Sequence, residues 1–213
     1  MAYFFKEKLG KIVPEQREKL IVPTVFTHNL GAWQVLSSST EKIDLYLVGG
    51  RYNPDRNAII EARVFEGQLK PWSPNIAIIA VSGIDQEGLY CSNIQDEHPV
   101  KEQLAKKKVE RRLIVCDHSK IGRTDVRMFV SLENLKNDCA EVFLITDEFD
   151  WKDINPPYRQ PEYQATLKAI EATLGEDKVI RVPVDGPDGG ESVGSYKDCE
   201  NGAPCDSFES TSA

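Results

Sequence analysis

The chain has 213 residues and a formal net charge of −8, with 40% hydrophobic and 28% charged residues. Domains typically run about 100–200 residues, so this is one globular domain with a tail. The acidic balance argues against non-specific nucleic-acid binding by the chain as a whole. No stretch approaches the roughly 20 apolar residues of a membrane span, and the apolar start at residues 1–5 is too short for a signal peptide. The five cysteines lack metal-ligand spacing, which points to reduced structural thiols and a cytoplasmic setting.

Residues 2–9 place Phe4, Phe5 and Leu9 at helical spacing, with Gly10 as a stop. Residues 20–26 read as a strand in which Pro23 requires an edge or a bulge. The polar turn Thr27-His28-Asn29 closes it, and Leu30, Trp33, Val35 and Leu36 fit a short helix. Residues 43–48 are the next strand, ended by Gly49-Gly50, a pair that permits positive φ or close backbone approach. Residues 59–69 read as an amphipathic helix stopped by Pro71. The continuous apolar run 76–81 reads as a buried strand. The turn Ser82-Gly83-Ile84-Asp85 follows, then a short β excursion over residues 89–94.

Pro99 suits the first turn of a helix, whose buried face carries Val100, Leu104, Ala105 and Val109. Lys106-Lys107-Lys108 with Arg111-Arg112 then read as its solvated side rather than as a basic patch. Residues 113–116 form a strand ending in Asp117-His118-Ser119-Lys120; residues 126–130 and 142–145 are further strands, the latter running into Thr146-Asp147. Pro161 opens a helix bearing Tyr163, Leu167, Ile170 and Leu174, closed by Gly175. Residues 179–184 are the last strand. Gly, Ser, Pro and acidic residues then dominate, so 185–213 reads as a disordered acidic tail and 1–184 as the domain. Alternating strands and helices give an α/β fold with a mostly parallel sheet and helices on both faces.

In such a sheet, loops at the carboxyl ends of the strands form the ligand crevice. Asp85 and Lys120 therefore enter one crevice, an acceptor and a mobile positive charge suited to phosphate. Small and polar residues around Lys120 expose backbone amides, which together with the ammonium make an anion site. The alternative is an ordinary surface lysine after a turn capped by Asp117. Asp85 is equally readable as an Asx-turn residue, and Thr27 and Asn29 as ligand contacts or as a helix N-cap. There is no dinucleotide fingerprint, Walker loop, nucleophile elbow or His-Glu-x-x-His pattern. The three histidines, His28, His98 and His118, lie far apart in sequence; neither a metal nor a cofactor is implied.

Six motifs occur in order: Thr27-His28-Asn29-Leu30, Leu47-Val48-Gly49-Gly50, Ser82-Gly83-Ile84-Asp85 with Gly88, Lys101, Val115-Cys116-Asp117-His118-Ser119-Lys120-Ile121-Gly122, and Leu144-Ile145-Thr146-Asp147. Together, over roughly residues 1–150, they resemble the C-terminal sensor domain of DeoR-family transcription regulators. The resemblance implies a ribose-5-phosphate-isomerase-like α/β fold that binds a phosphorylated sugar or related metabolite without turnover and forms homo-oligomers. By this likeness the crevice includes Thr27, Gly49, Gly50, Gly83, Asp85 and Lys120, with Lys120 on the phosphate. DNA would be contacted only through a helix-turn-helix outside this chain. The family's first sensor strand and its Asp-x-x-Thr-Thr loop are expected upstream of Met1. His28 stands where the family has asparagine.

Two other classes remain open. A sugar-phosphate isomerase needs a general base beside the substrate C–H. The glutamate of such enzymes corresponds here to Val100, before Lys101, and Glu97 and Glu102 are expected on other faces of the helix. An interaction module that has lost ligand binding is the other; loss of an inner strand would leave sheet edge open for association.

Overall fold

Residues 22–39, 42–92, 97–138, 141–149, 152 and 160–183 are described by the computed structural model. The helix expected at residues 2–9, the start of the strand at 20–26, and the acidic tail lie outside them. Strand β1 (Thr24–Thr27) begins just after Pro23, so no ladder donor is lost. Asn29 then caps helix α1 (Leu30–Ser37): its Oδ1 accepts the Ala32 N–H at 2.8 Å, satisfying one of the orphan donors of the first turn. Strand β2 (Asp44–Leu47) lies parallel to β1, from Thr24 opposite Asp44 to Thr27 opposite Leu47.

Residues 51–60 depart from expectation. They form an antiparallel hairpin of β3 (Arg51–Asn53) and β4 (Ala58–Ile60). A 3₁₀ turn, Pro54–Arg56, joins them, and Asn57 follows in the left-handed region at φ 45°. Asn53 Oδ1 accepts the Arg56 N–H at 3.2 Å, and asparagine tolerates the left-handed conformation better than most residues. The helix expected from residue 59 is therefore shorter, α2 (Ala62–Leu69). Ala58 and Ile60 are buried and Ile59 only partly so, a strand alternation that merges in sequence with the helical pattern behind it.

The chain continues through β5 (Ile76–Ala80), β6 (Gly83–Ile84), β7 (Gly88–Cys91), α3 (Glu97–Lys106), β8 (Arg111–Val115), β9 (Arg127–Ser131), α4 (Leu132–Asp138), β10 (Glu141–Asp147), α5 (Gln160–Leu174) and β11 (Val179–Val182). The central sheet is parallel throughout, in the order β11-β10-β8-β5. Strands β6, β7 and β9 make a separate antiparallel sheet. One row of side chains crosses the central sheet, Ile79 opposite Ile114, Ile114 opposite Leu144 and Leu144 opposite Val179. All four are buried, in a core completed by Ala105 of α3, Leu132 and Leu135 of α4, and Tyr163, Leu167 and Ile170 of α5. Full burial of one such Ile or Leu stabilises by roughly 1.5–3 kcal/mol. A second cluster, Val48, Phe65, Leu69 and Val100 with Phe26 and Leu104 against it, ties β1 and α2 to α3.

Strand β5 is not buried on both sides. Ile76 and Ile78 remain 48% and 50% exposed, while Ala77 and Ile79 are buried. Its only strand partner among the described residues is β8. The continuous apolar run concealed a period-two alternation because both faces carry apolar side chains.

The basic run also differs from a solvated helix face. Lys106 pairs with Glu102 at 2.6 Å and Arg111 with Glu141 at 2.8 Å. Arg112, however, is fully buried, with Nη2 donating to the Lys107 carbonyl at 2.8 Å. Helix α3 ends at Lys106, so Arg112 falls on an inward position of β8, in alternation with Ile114. Helix α4 was not anticipated. It follows β9 without a break, and Ser131 Oγ accepts the Asn134 N–H at 3.2 Å, so the last strand residue doubles as the cap. No helix among the described residues is long and apolar enough to cross a membrane.

Candidate functional site

The turns after β5 and β8 are joined through their backbones. Ile84 and Ile121 form a parallel bridge, and Gly122 N–H donates to the Ile84 carbonyl at 2.9 Å. Gly83 makes this approach possible: a Cβ there would lie 2.1 Å from the Arg123 carbonyl oxygen. The structure thus brings the Asp85 and Lys120 turns side by side. The Asp85 carboxylate serves its own turn. Oδ1 accepts the N–H groups of Glu87 and Gly88 at 2.8 and 3.0 Å, and Oδ2 accepts the Tyr90 hydroxyl at 2.9 Å. Burial, reinforced by that hydrogen bond and the Asp85 charge, pushes the Tyr90 phenol up to about 12.

The turn around Lys120 does not expose its amides. The N–H of His118 donates to Asp147 Oδ1 and that of Ser119 to Asp117 Oδ1. Those of Lys120, Ile121, Gly122 and Arg123 donate to the carbonyls of Asp117, His118, Ile84 and Lys120. The expected nest of free donors is therefore closed: the 3₁₀ turn (His118–Lys120) and its flanks take up four of these amides locally, and Asp147 and Ile84 accept the other two. What remains is the ammonium. Lys120 Nζ lies 3.2 Å from Ser119 Oγ and 3.8 Å from Asp117 Oδ2, with the side chain 30% exposed. Partial burial works to raise the Asp117 carboxyl, but the Ser119 hydrogen bonds and the Lys120 charge outweigh it and hold the group below its usual range. The His118 ring contacts Asp147 Oδ2 through Nδ1 and stacks flat on Phe149. Burial, with the charges of Asp117 and Asp147, pushes the neighbouring Cys116 thiol up to about 12.

At the ends of β1 and β2, Thr27 Oγ1 accepts the Asn29 N–H at 3.2 Å, and Gly49 N–H donates to Gln68 Oε1 at 2.8 Å. Gly50 has φ 147°, and a Cβ there would sit 3.1 Å from Ile59 and Glu61 side-chain atoms, so the connection into β3 lies tight against β4. The His28 ring meets Phe65 edge-on at 5.7 Å. Burial lowers the His28 pKa; nearby Glu97 opposes this and Lys101 adds to it. Lys101 is buried and ion-paired with Glu97 at 2.8 Å. Arg56, from the β3–β4 turn, lies 3.8 Å from Glu97 and donates to Ser92 Oγ. The sequence reading set Glu97 and Glu102 on other helical faces than Val100 and did not pair Glu97 with Lys101. At i,i+4 the two share a face, and that spacing was the available signal. Arg56 and Ser92 had none.

Residues 13–148 match the family model for the DeoR C terminal sensor domain, more than half of the chain. The chain belongs to this family. No curated protein and no solved structure matches it.

In this DeoR sensor domain the six residues expected at the crevice fall into two groups. Thr27, Gly49 and Gly50 gather at the ends of β1 and β2, and Gly83, Asp85 and Lys120 gather at the joined turns beyond β5 and β8. Gly50, Gly83 and Asp85 each have a defined task within their own turn. Lys120 has no carboxylate within hydrogen-bonding distance among the described residues. The sensor also carries the Arg56–Glu97–Lys101 charge cluster at the start of α3. Among the described residues no group of three His, Cys, Asp or Glu side chains is arranged to hold a metal ion.

Proposed function

We propose that this sensor domain binds a small phosphorylated metabolite, a sugar phosphate or a close relative, at the carboxyl ends of its parallel strands, and holds it without turnover. The observation that carries the reading is the state of Lys120: a half-buried ammonium in the turn after β8 whose nearest carboxylate oxygen among the described residues is 3.8 Å away. A phosphate oxygen would complete its hydrogen bonding with a charge-assisted contact. The turn's own amides are spent, so this side chain bears more of the anion affinity than it would in a site lined with free N–H groups. Binding without turnover is supported at α3. Val100 cannot take a proton, and the nearby Glu97 carboxylate is held by Lys101 at 2.8 Å. Homo-oligomer assembly, the other property the family suggests, belongs to the same proposal; light scattering on the purified chain tests it.

A thermal-shift series tests the binding site, using phosphorylated sugars, the same sugars without phosphate, and inorganic phosphate, on the wild-type chain and on Lys120→Ala. A ligand at 100 times its dissociation constant stabilises the native state by about 2.7 kcal/mol, or about 5–10 °C for a chain of this size. The expected outcome is a shift with phosphorylated ligands alone, lost in Lys120→Ala. Equal shifts in the two proteins, or none with any phosphate, reject the reading.

A further inference from the structure

His118 begins the same turn that ends in Lys120. Its environment is more elaborate than a turn requires. The backbone N–H already anchors it to Asp147 Oδ1, yet the ring is fixed as well: Nδ1 meets Asp147 Oδ2, and the ring plane lies on Phe149 with centroids 3.5 Å apart and planes 1° apart. Thr146 Oγ1 donates to Asp147 Oδ1 at 3.2 Å and holds the carboxylate in turn. An ionised carboxylate only accepts, so Nδ1 carries the hydrogen, and in the neutral ring Nε2 then presents a lone pair. Nε2 has no partner among the described residues, and the side chain is 29% exposed. A carboxylate behind an imidazole is the arrangement that fixes a tautomer and a ring direction. The adjacent lysine, by contrast, is a flexible point charge that treats all phosphates much alike.

We infer that His118 Nε2, oriented by Asp147, accepts a hydrogen bond from a hydroxyl of the ligand whose phosphate Lys120 holds, and so selects phosphorylated sugars and polyols over other phosphates. This assignment rests on the Lys120 site proposed above. Lysine supplies the attraction and histidine supplies the direction. An acceptor that a bound ligand covers without supplying a donor is what makes such a site discriminate.

Calorimetric titration tests it with inorganic phosphate and a series of pentose and hexose phosphates. His118→Asn keeps an amide able to reach Asp147 in place of Nδ1 but removes Nε2. His118→Gln restores an oxygen acceptor near the Nε2 position. Asp147→Asn leaves the ring in place and reverses its tautomer, so that Nε2 donates. The wild type is expected to prefer a sugar phosphate to inorganic phosphate, and His118→Asn to reduce that ratio about tenfold, the worth of one hydrogen bond. His118→Gln should recover most of the ratio, and Asp147→Asn should lose it with the fold intact. A ratio unchanged in His118→Asn and Asp147→Asn overturns the assignment, as does an equal fall for all ligands that glutamine does not repair, which would make His118 a latch for the turn. A wild type that binds inorganic phosphate as well as any sugar phosphate overturns it while leaving the Lys120 site standing. Failure to bind any phosphate overturns both.

Discussion

Replacing Asp85 separates a turn-building carboxylate from a ligand-facing one. Its two oxygens accept three hydrogen bonds, from Glu87 N, Gly88 N and Tyr90 Oη. In Asp85→Ala the Glu87 N–H turns to water, since that residue is exposed. Gly88 is buried and Tyr90 half-buried, so their donors lose a charged acceptor with little replacement. Each such loss costs about 1–3 kcal/mol, and the pair is expected to cost about 2–4 kcal/mol, because neighbouring losses do not add fully. Urea denaturation should report that loss, and scanning calorimetry a fall of about 5–15 °C. The same variant carries a spectroscopic signature. Tyr90 titrates at about 12, above its ordinary 10.0, chiefly through burial and then through Asp85. Its folded value is raised, so the linked stability is complete below pH 10 and is lost as pH rises through about 12. Ultraviolet titration, with Tyr90→Phe to isolate the signal, should show the phenol moving part of the way back in Asp85→Ala, burial retaining the rest. Stability within about 0.5 kcal/mol of wild type, together with an unmoved phenol, would refute the argument. An intact turn with sharply weakened ligand binding would return Asp85 to the ligand.

Gly83→Ala is expected to cost more than about 3 kcal/mol or to prevent folding, because the methyl would press on the Arg123 backbone carbonyl at 2.1 Å. Gly67→Ala, inside α2 with nothing within 4 Å of the added carbon, is its control and should stabilise by about 0.5–1 kcal/mol in the same urea melts. His28 has a folded pKa below its ordinary 6.5, so its contribution to stability is present above about pH 6.5 and disappears as pH falls through the lower folded value. Melting temperature against pH should flatten on the acid side in His28→Gln; an unchanged profile would place the titration elsewhere.

The parallel strands were readable because each is an apolar run closed by glycine, aspartate or a polar cluster, and the ends of those runs located both turns of the candidate site. Alternation too short to register as a period hid β4, whose three residues adjoin a helix with its own apolar spacing. Helix α4 was hidden by its length of seven residues and by sharing Ser131 with β9. Arg112 reads as surface because nothing in a basic run tells which member faces inward. The roles of Asp85 and of the amides near Lys120 were ambiguous for a deeper reason. A carboxylate that closes its own turn and one that waits for a ligand occupy the same place in sequence, and only the bonding partners distinguish them. The Glu97–Lys101 pair needed only its four-residue spacing.

The bridge between Ile84 and Ile121 also has a mechanical meaning. From the Lys120 turn a line of main-chain hydrogen bonds runs through Gly122 to Ile84, across the short hairpin where Asp85 N donates to the Gly88 carbonyl, and from the Glu87 carbonyl to Leu132 N at the head of α4. Peptide groups make up this line, so surface substitutions along it leave it intact. The Lys120 turn and the first turn of α4 are thereby parts of one main-chain scaffold, a continuous strap whose links are peptide groups rather than side chains.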